Sequence, residues 1–430
     1  MKTIKLQISQ LGRLRNSEVE ITPWMIFSGE SGLGKSYLSI LIHYFFEVLV
    51  DMKRIDSFIR EIGVDYNTLI PTLRNTGTAF YIKREDFERW LAEDAIRYTK
   101  YMINNDDLNA DIRVILPNDV AEIMEFKYEE EASELNNEVE TYLKFSLPGL
   151  TYRTKNVPQG IGEESHFAFF LRYYIRQCIF EDYMALDRTF VLPPSRGTMM
   201  TEIVSPITGM YKKFDADKKF LEGAKDNQSQ TQEDVKQMMR TILEGKVHMV
   251  DGKRYMYTMS DAEMPLSAAA SSVRELALFE MLIENMDIKK AAVLIEEPEA
   301  HLHPAKQRMM ADLLSAMSAE GTYMQITTHS DFLIRRLNEL VRLKTLETAK
   351  DAASFEDLKA KLNCLVLPKI DTLSAYVVER QVDGTSKAIR QNIEQGVPYK
   401  SFLQPIKESV EFKTLLDAYT SGEEMENGNM

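Results

Sequence analysis

Eight consecutive residues, Gly29-Glu30-Ser31-Gly32-Leu33-Gly34-Lys35-Ser36, constrain this chain more than any other feature. They fill every fixed position of the pattern GxxxxGK[ST]. Before them stands a short apolar run, Trp24-Met25-Ile26-Phe27, and after them a run from Tyr37 to Leu49 that is apolar nearly all round. That order predicts a strand, a tight turn and a helix buried on a sheet, hence an α/β fold. In such a loop the glycines let backbone N–H groups curl around phosphates at a helix N-terminus, where the macrodipole favours anions. The expected ligand is ATP with Mg²⁺: Lys35 reaches the terminal phosphates and the Ser36 hydroxyl ligates the metal.

Two later segments fit the same chemistry. Ala292-Val293-Leu294-Ile295 reads as a buried strand ending in two carboxylates. Glu296 is expected to be the acidic partner of the magnesium, and Glu297 to orient or deprotonate the attacking water. His301 and His303 alternate near Glu299, so a metal site is the alternative to a loop held for packing or for contact with a partner head; Pro304 suits the first turn of a helix. Next, Met324-Gln325-Ile326-Thr327-Thr328 reads as a strand ending at His329, with Ser330 or Asp331 to cap the following helix. A histidine there can donate a hydrogen bond to the γ-phosphate and sense its presence.

The 430 residues suffice for a large core, and 44% hydrophobic content places the chain among globular proteins. The run after the phosphate loop is broken by His43 and Glu47, too short and too polar to span a membrane. The N-terminal residues alternate like a strand and carry no apolar signal core, so a cytoplasmic location is expected. Cys178 and Cys364 stand apart without CxxC spacing, which argues against a disulfide framework or zinc site. A net charge of −14 is the wrong sign for a surface that attracts polyanions throughout. Acidic runs such as Glu129-Glu130-Glu131 read as solvated faces.

Along the chain, residues 1–50 and 186–405 read as one nucleotide-binding head, with 51–185 inserted as a largely helical lobe containing strands such as 78–82. An apolar strand ends in Pro193-Pro194-Ser195-Arg196-Gly197, where Ser195 and Arg196 are candidates for a phosphate-linked contact against a turn with a surface arginine. Residues 215–233, with Gln228-Ser229-Gln230 near their centre, read as a polar loop or helical arm. A hairpin turns at Asp251-Gly252. Leu276, Phe279, Ile283 and Met286 form one stripe of a helix beginning near Ser271-Ser272. A strand lies at 374–378, and the tail 421–430 reads as unstructured.

Taken together, these segments resemble the ABC-type ATPase heads of the SMC, RecF and OLD (overcoming lysogenisation defect) proteins, and in particular the predicted AAA-type ATPases near the OLD group. The likeness also covers Leu192-Pro193-Pro194-Ser195-Arg196 and the stretch from Pro265 to Leu276, most of 1–50 and 188–340, and more loosely the chain to about 405. It implies a mixed sheet flanked by helices, and two heads sandwiching two ATP molecules as a homodimer or higher homo-oligomer. Ser271 and Ser272 are the positions matching the signature that faces the opposite head's γ-phosphate. The sequence departs from the ABC pattern at Val273, where glycine is common, and at Glu296, where aspartate is usual.

Heptads and a zinc hook are absent between Ser36 and Ser271, and no TOPRIM-type carboxylate set follows the double glutamate. The expected function is therefore an ATP-hydrolysing switch or sensor that controls a separate effector protein, a nuclease or toxin, as relatives in anti-phage defence do. The alternatives are a RecF-like DNA-maintenance ATPase that binds duplex DNA through clusters such as Lys212-Lys213, Lys218-Lys219 or Arg335-Arg336, and a nucleotide-locked scaffold with little turnover.

Overall fold

The computed structural model describes residues 1–64, 77–135, 138–154, 165–202, 205–224, 231–250, 254–347, 351–396 and 400–421. The chain opens with β1 (Ile4–Leu11), β2 (Leu14–Ile21), β3 (Trp24–Gly29) and α1 (Lys35–Glu47). There follow α2 (Met52–Glu61), β4 (Thr78–Lys83), α3 (Arg84–Ile103), β5 (Ala110–Ile115), β6 (Ile123–Leu135), β7 (Glu138–Leu147), β8 (Leu150–Thr154) and α4 (Ser165–Phe180). β9 (Arg188–Leu192) leads into α5 (Gly197–Thr201), α6 (Gly209–Gly223) and α7 (Glu233–Leu243), and then into the meander β10 (Lys246–Val250), β11 (Arg254–Met259) and β12 (Ala262–Pro265). The remainder runs α8 (Ser271–Asn285), β13 (Ala291–Glu296), α9 (Pro304–Glu320), β14 (Tyr323–Thr327), α10 (Asp331–Leu346), α11 (Ala352–Lys361), β15 (Leu373–Arg380), β16 (Ser386–Arg390) and α12 (Lys400–Ser421).

A nine-stranded sheet organises these elements in the order β5-β1-β2-β16-β15-β3-β14-β13-β9. The five strands from β15 to β9 are mutually parallel, and the hairpin strands complete the other side. The parallel strands are buried on both faces, which is why they read as continuous apolar runs. Their side chains alternate between two cores: Met25, Phe27 and Leu294 face one, and Trp24, Ile26, Val293 and Ile295 the other.

α1 lies between the sheet and α3, with the rings of Tyr44 and Tyr98 5.6 Å apart. Covered on both sides, it buries Leu38, Ile40, Leu41 and Ile42 completely, each worth roughly 1.5–3 kcal/mol. This explains its lack of a polar face.

Among its described residues the lobe expected to be largely helical also carries five strands, β4 to β8. β4, β6, β7 and β8 form an antiparallel sheet whose Phe126 and Phe145 pack on Phe167. β5 leaves that sheet and pairs with β1, from Lys5 opposite Ile115 to Leu11 opposite Ala110. The insertion thus supplies the edge strand of the head. Glu129 and Glu131 lie on β6, paired with Lys144 at 3.0 and 3.1 Å.

The polar stretch from 215 is no arm at its start: α6 covers it to Gly223, with Phe214, Asp217 and Leu221 buried. Residues 225–230, the Asp251-Gly252 turn and 422–430 lie outside the described residues. The pairing of Val250 with Arg254 places a hairpin where that turn was expected.

Candidate functional site

The phosphate loop closes β3 and opens α1. Gly29 has φ 126°, and a Cβ there would lie 2.3 Å from the Val378 carbonyl oxygen on β15, so only glycine fits. Gly34, at φ 98°, caps α1. Lys35 folds back over its own loop, donating to the carbonyls of Gly29 at 3.0 Å and Glu30 at 2.7 Å. Burial pulls its ammonium down to about 8, although Glu297, Glu296, Glu299 and Glu30 all favour the charged form.

The register of the parallel strands brings the end of β13 beside the start of α1. Ser36 Oγ donates to Glu296 Oε2 at 2.8 Å and Ser39 Oγ to Glu296 Oε1 at 3.1 Å. Burial raises the Glu296 pKa, and the two hydroxyl donors oppose the rise. Glu297 follows in the left-handed region at φ 49°, its N–H bonded to Thr327 O at 3.1 Å. That backbone turn leaves its side chain 44% exposed, with Oε1 4.0 Å from His329 Nε2. Burial and the neighbouring Lys35 lower the His329 pKa, so the imidazole is neutral at pH 7.

Glu299, given no role beyond its nearness to the histidines, fastens these pieces together. Its buried carboxylate accepts from Thr328 Oγ1 at 2.8 Å and from the His329 N–H at 2.7 Å, tying the double-glutamate loop to the end of β14. Ser330 caps α10 through the Leu333 N–H. His303 caps α9 instead of offering a ligand, and His301 is exposed; among the described residues no group of three or more His, Cys, Asp or Glu is placed to hold a metal.

Arg196 corrects the expectation of a phosphate-linked contact or a surface arginine. It is wholly buried, with Nε bonded to Glu275 O at 2.7 Å and Nη1 to Glu296 O at 2.9 Å and Pro193 O at 3.0 Å. It clamps the end of β13 to the first turns of α8. Ser195 supplies the sharp turn that aims it, at φ 54°. Ser271 and Ser272 open α8, Ser271 exposed and Ser272 half-buried, and neither lines the cavity of their own chain. Val273 faces the core at 5% exposure, so its side chain points away from that surface.

Lys35, Ser36, Glu297 and His329 surround one cavity of about 470 Å³, with Ser31, Gly32, Gly34 and Thr327 beside them. Gly12, Arg13 and Tyr37, and Asn105, Asp107, Leu108 and Asn109 from the insertion, line the same cavity. These were not expected. The only sequence signal was the polar break after α3, which does not say where the loop docks. Together the groups could hold a polyanion, a hard cation and a water.

The family model of the AAA ATPase domain matches residues 1–334. No curated protein matches the chain. Among solved structures, the chain is similar to an SMC head bound to the C-winged helix domain of ScpA (12% identity, TM-score 0.40, covering 91% of this chain and 98% of that one). It is similar also to the SMC head domain from Thermotoga maritima (11%, 0.34, 91% and 100%). A third is the Pyrococcus furiosus Smc head with an extended coiled coil, bound to the C-terminal domain of ScpA (11%, 0.38, 94% and 99%).

Proposed function

The chain belongs to the AAA ATPase domain family, and from that premise we propose that it binds and hydrolyses ATP and acts as a switch: heads assemble on ATP, and a separate effector, a nuclease or toxin of anti-phage defence, responds. The observation that carries the catalytic part is that Lys35, Ser36, Glu297 and His329 line one cavity, with buried Glu296 bonded to Ser36 behind it.

The donors present fit a magnesium ion, since Ser36 Oγ and the Glu296 carboxylate are hard oxygens already held together. Bound with the phosphates, the ion would neutralise charge developing on them. The chain's own groups do the rest. Lys35 exchanges its loop carbonyls for phosphate oxygens, whose negative charge favours the ammonium that burial disfavours. Glu297 orients the water and accepts its proton, while neutral His329 reports on the terminal phosphate. Ser271 and Ser272 lie outside their own cavity, which suits a role on the opposite head's nucleotide.

The duplex-DNA alternative rested on basic clusters, and these are largely neutralised. Lys213 pairs with Asp217 at 2.8 Å, Lys219 with Asp215 at 2.6 Å, Arg335 with Asp331 at 2.7 Å and Arg336 with Asp312 at 2.9 Å. The switch reading is preferred on that ground.

Its test is steady-state ATP hydrolysis by the parent and Glu297→Gln, with and without duplex DNA, while light scattering follows mass. Turnover lost in the variant, ATP-dependent assembly and no DNA response are expected. Strong stimulation by DNA would replace the switch with the DNA-maintenance reading, and a parent that binds ATP without turnover would leave a scaffold.

A further inference from the structure

We propose that Ser386 is a positioning residue for the phosphate loop: its hydroxyl holds the Leu33 carbonyl, and through that one peptide it aims the Gly34 N–H at the phosphates of the bound nucleotide. The inference rests on the nucleotide reading above and adds to it what keeps the loop in its binding shape.

The loop does little to hold itself. Gly32 has φ 75° and Gly34 φ 98°, and among the described residues a Cβ built at either would meet nothing within 4 Å. Glycines in open space leave their peptide planes free to turn. Lys35 does bond two loop carbonyls, those of Gly29 and Glu30, but the function proposed above moves that ammonium to phosphate oxygens. A loop that binds through backbone N–H groups then needs an anchor that stays when the ligand arrives.

The β15–β16 hairpin supplies that anchor from 353 residues away in the chain. β15 runs parallel to β3 with Val378 opposite Gly29, so its carbonyl presses on the first residue of the loop. After the turn, β16 begins at Ser386, whose N–H bonds to Arg13 O at 3.0 Å and whose Oγ donates to Leu33 O at 2.7 Å. Both Ser386 and Leu33 are buried, so water does not compete for this bond. The turn between the strands is fixed by its own chemistry. Gly384 takes φ 81° and its N–H bonds to Gln381 O at 3.0 Å, while Asp383 Oδ1 accepts the N–H and the hydroxyl of Thr385 at 2.9 and 2.6 Å. A stiff element therefore delivers Ser386 to the loop.

The geometry of a trans peptide turns this contact into positioning. The carbonyl of Leu33 and the N–H of Gly34 belong to one planar unit and point in opposite directions. Ser386 and Leu33 do not line the cavity, whereas Gly34 does, so fixing the carbonyl on Ser386 fixes the N–H on the cavity side. Gly34 also caps α1, where the helix dipole adds to the pull on an anion.

The experiment titrates ATP and inorganic tripolyphosphate, each with Mg²⁺, into the parent, Ser386→Ala and Ser17→Ala by calorimetry. Ser17 is an equally buried hydroxyl that accepts the Ala388 N–H of the same strand at 3.0 Å without touching the loop, so its variant reports what loosening the hairpin does. Ser386→Ala should weaken both ligands about three- to tenfold, the worth of one buried hydrogen bond, because both bind through their phosphates. Ser17→Ala should bind both as the parent does. In steady-state hydrolysis the loss in Ser386→Ala should appear in KM with kcat unchanged, since the loop holds the phosphates in ground and transition states alike. Thermal scans check that each variant is folded at the titration temperature, and Ser386→Cys, nearly the same shape with a weak donor, answers the same question should the alanine variant unfold. Parental affinity in the Ser386 variants, an equal loss in Ser17→Ala or a loss confined to kcat overturns the proposal and leaves the nucleotide reading standing. A parent that binds neither ligand overturns the nucleotide reading itself.

Discussion

At Glu297 the chain holds a non-glycine residue at φ 49°, a backbone state that costs of order 1–3 kcal/mol and persists only where its surroundings impose it. What imposes it is the N–H bond to Thr327 and the Glu299 anchor on β14, so the strain keeps one carboxylate in the cavity while its neighbour Glu296 stays buried. Glu297→Gln keeps the shape and removes the base. Its turnover should fall about 10²–10⁴-fold with nucleotide affinity retained, read by single-turnover hydrolysis beside nucleotide titration. Lys35→Ala should lose binding itself, since Lys35 is the one basic residue in the loop sequence 29–36 and its ammonium lies over the loop carbonyls of Gly29 and Glu30. Both residues were legible in the sequence because their partners are near neighbours in a contiguous motif or end a strand of obvious apolar pattern. Arg196 was not: its carbonyl partners on Glu275 and Glu296 lie 79 and 100 residues away, and a turn of prolines beside an arginine looks the same whether that arginine is buried or exposed.

α8 carries Ser271 and Ser272 at its start and a buried carboxyl in its middle. Glu280 accepts the Val247 N–H at 3.1 Å, and burial, with repulsion from Glu284, lifts its pKa to about 8. The folded protein therefore binds a proton that the unfolded chain releases near the ordinary carboxyl value. Between that value and about 8 the native state holds more protons, so stability falls as pH rises through this window. Glu280→Gln, which mimics the protonated form, should melt at a similar temperature to the parent at pH 5 and several degrees above it at pH 8.5 in paired thermal scans. A difference that does not grow with pH would mean that Glu280 is ionised in the fold. On the same scale, the strands and helices of the head were legible because both faces of the parallel strands are covered, giving unbroken apolar runs. In the insertion, β6 was hard to see because charged side chains such as Glu129 and Glu131 interrupt its apolar alternation, although Phe126 and Tyr128 on the same strand join the core that β1 and α1 share. The pairing of β5 with β1 is a long-range event that no local pattern announces, and the Asn105 loop stayed hidden with it.

At the scale of the whole molecule, the cavity holds a phosphate loop, an acid and a histidine, the serines that open α8 do not line it, and the function proposed above sets those serines against the nucleotide of a second copy. Such a composite site makes a prediction about mixtures. A Lys35→Ala chain has a dead phosphate loop and intact serines; a Ser272→Arg chain has the reverse, its bulky cation placed where the opposite head must approach. Each alone should hydrolyse ATP negligibly. Mixed in equal amounts, half of the dimers combine one of each, and every such dimer contains one site assembled from two intact halves. Turnover should then recover to about a quarter of the parent value if the sites act independently, by the arithmetic of a two-fold interface. Recovery that rises with protein concentration would place the site at a reversible interface. A Ser272→Arg chain that hydrolyses ATP at the parental rate would mean that each head is complete by itself, and the clamp from Glu296 through Arg196 to α8 would then hold the fold of one chain without linking its nucleotide to a second.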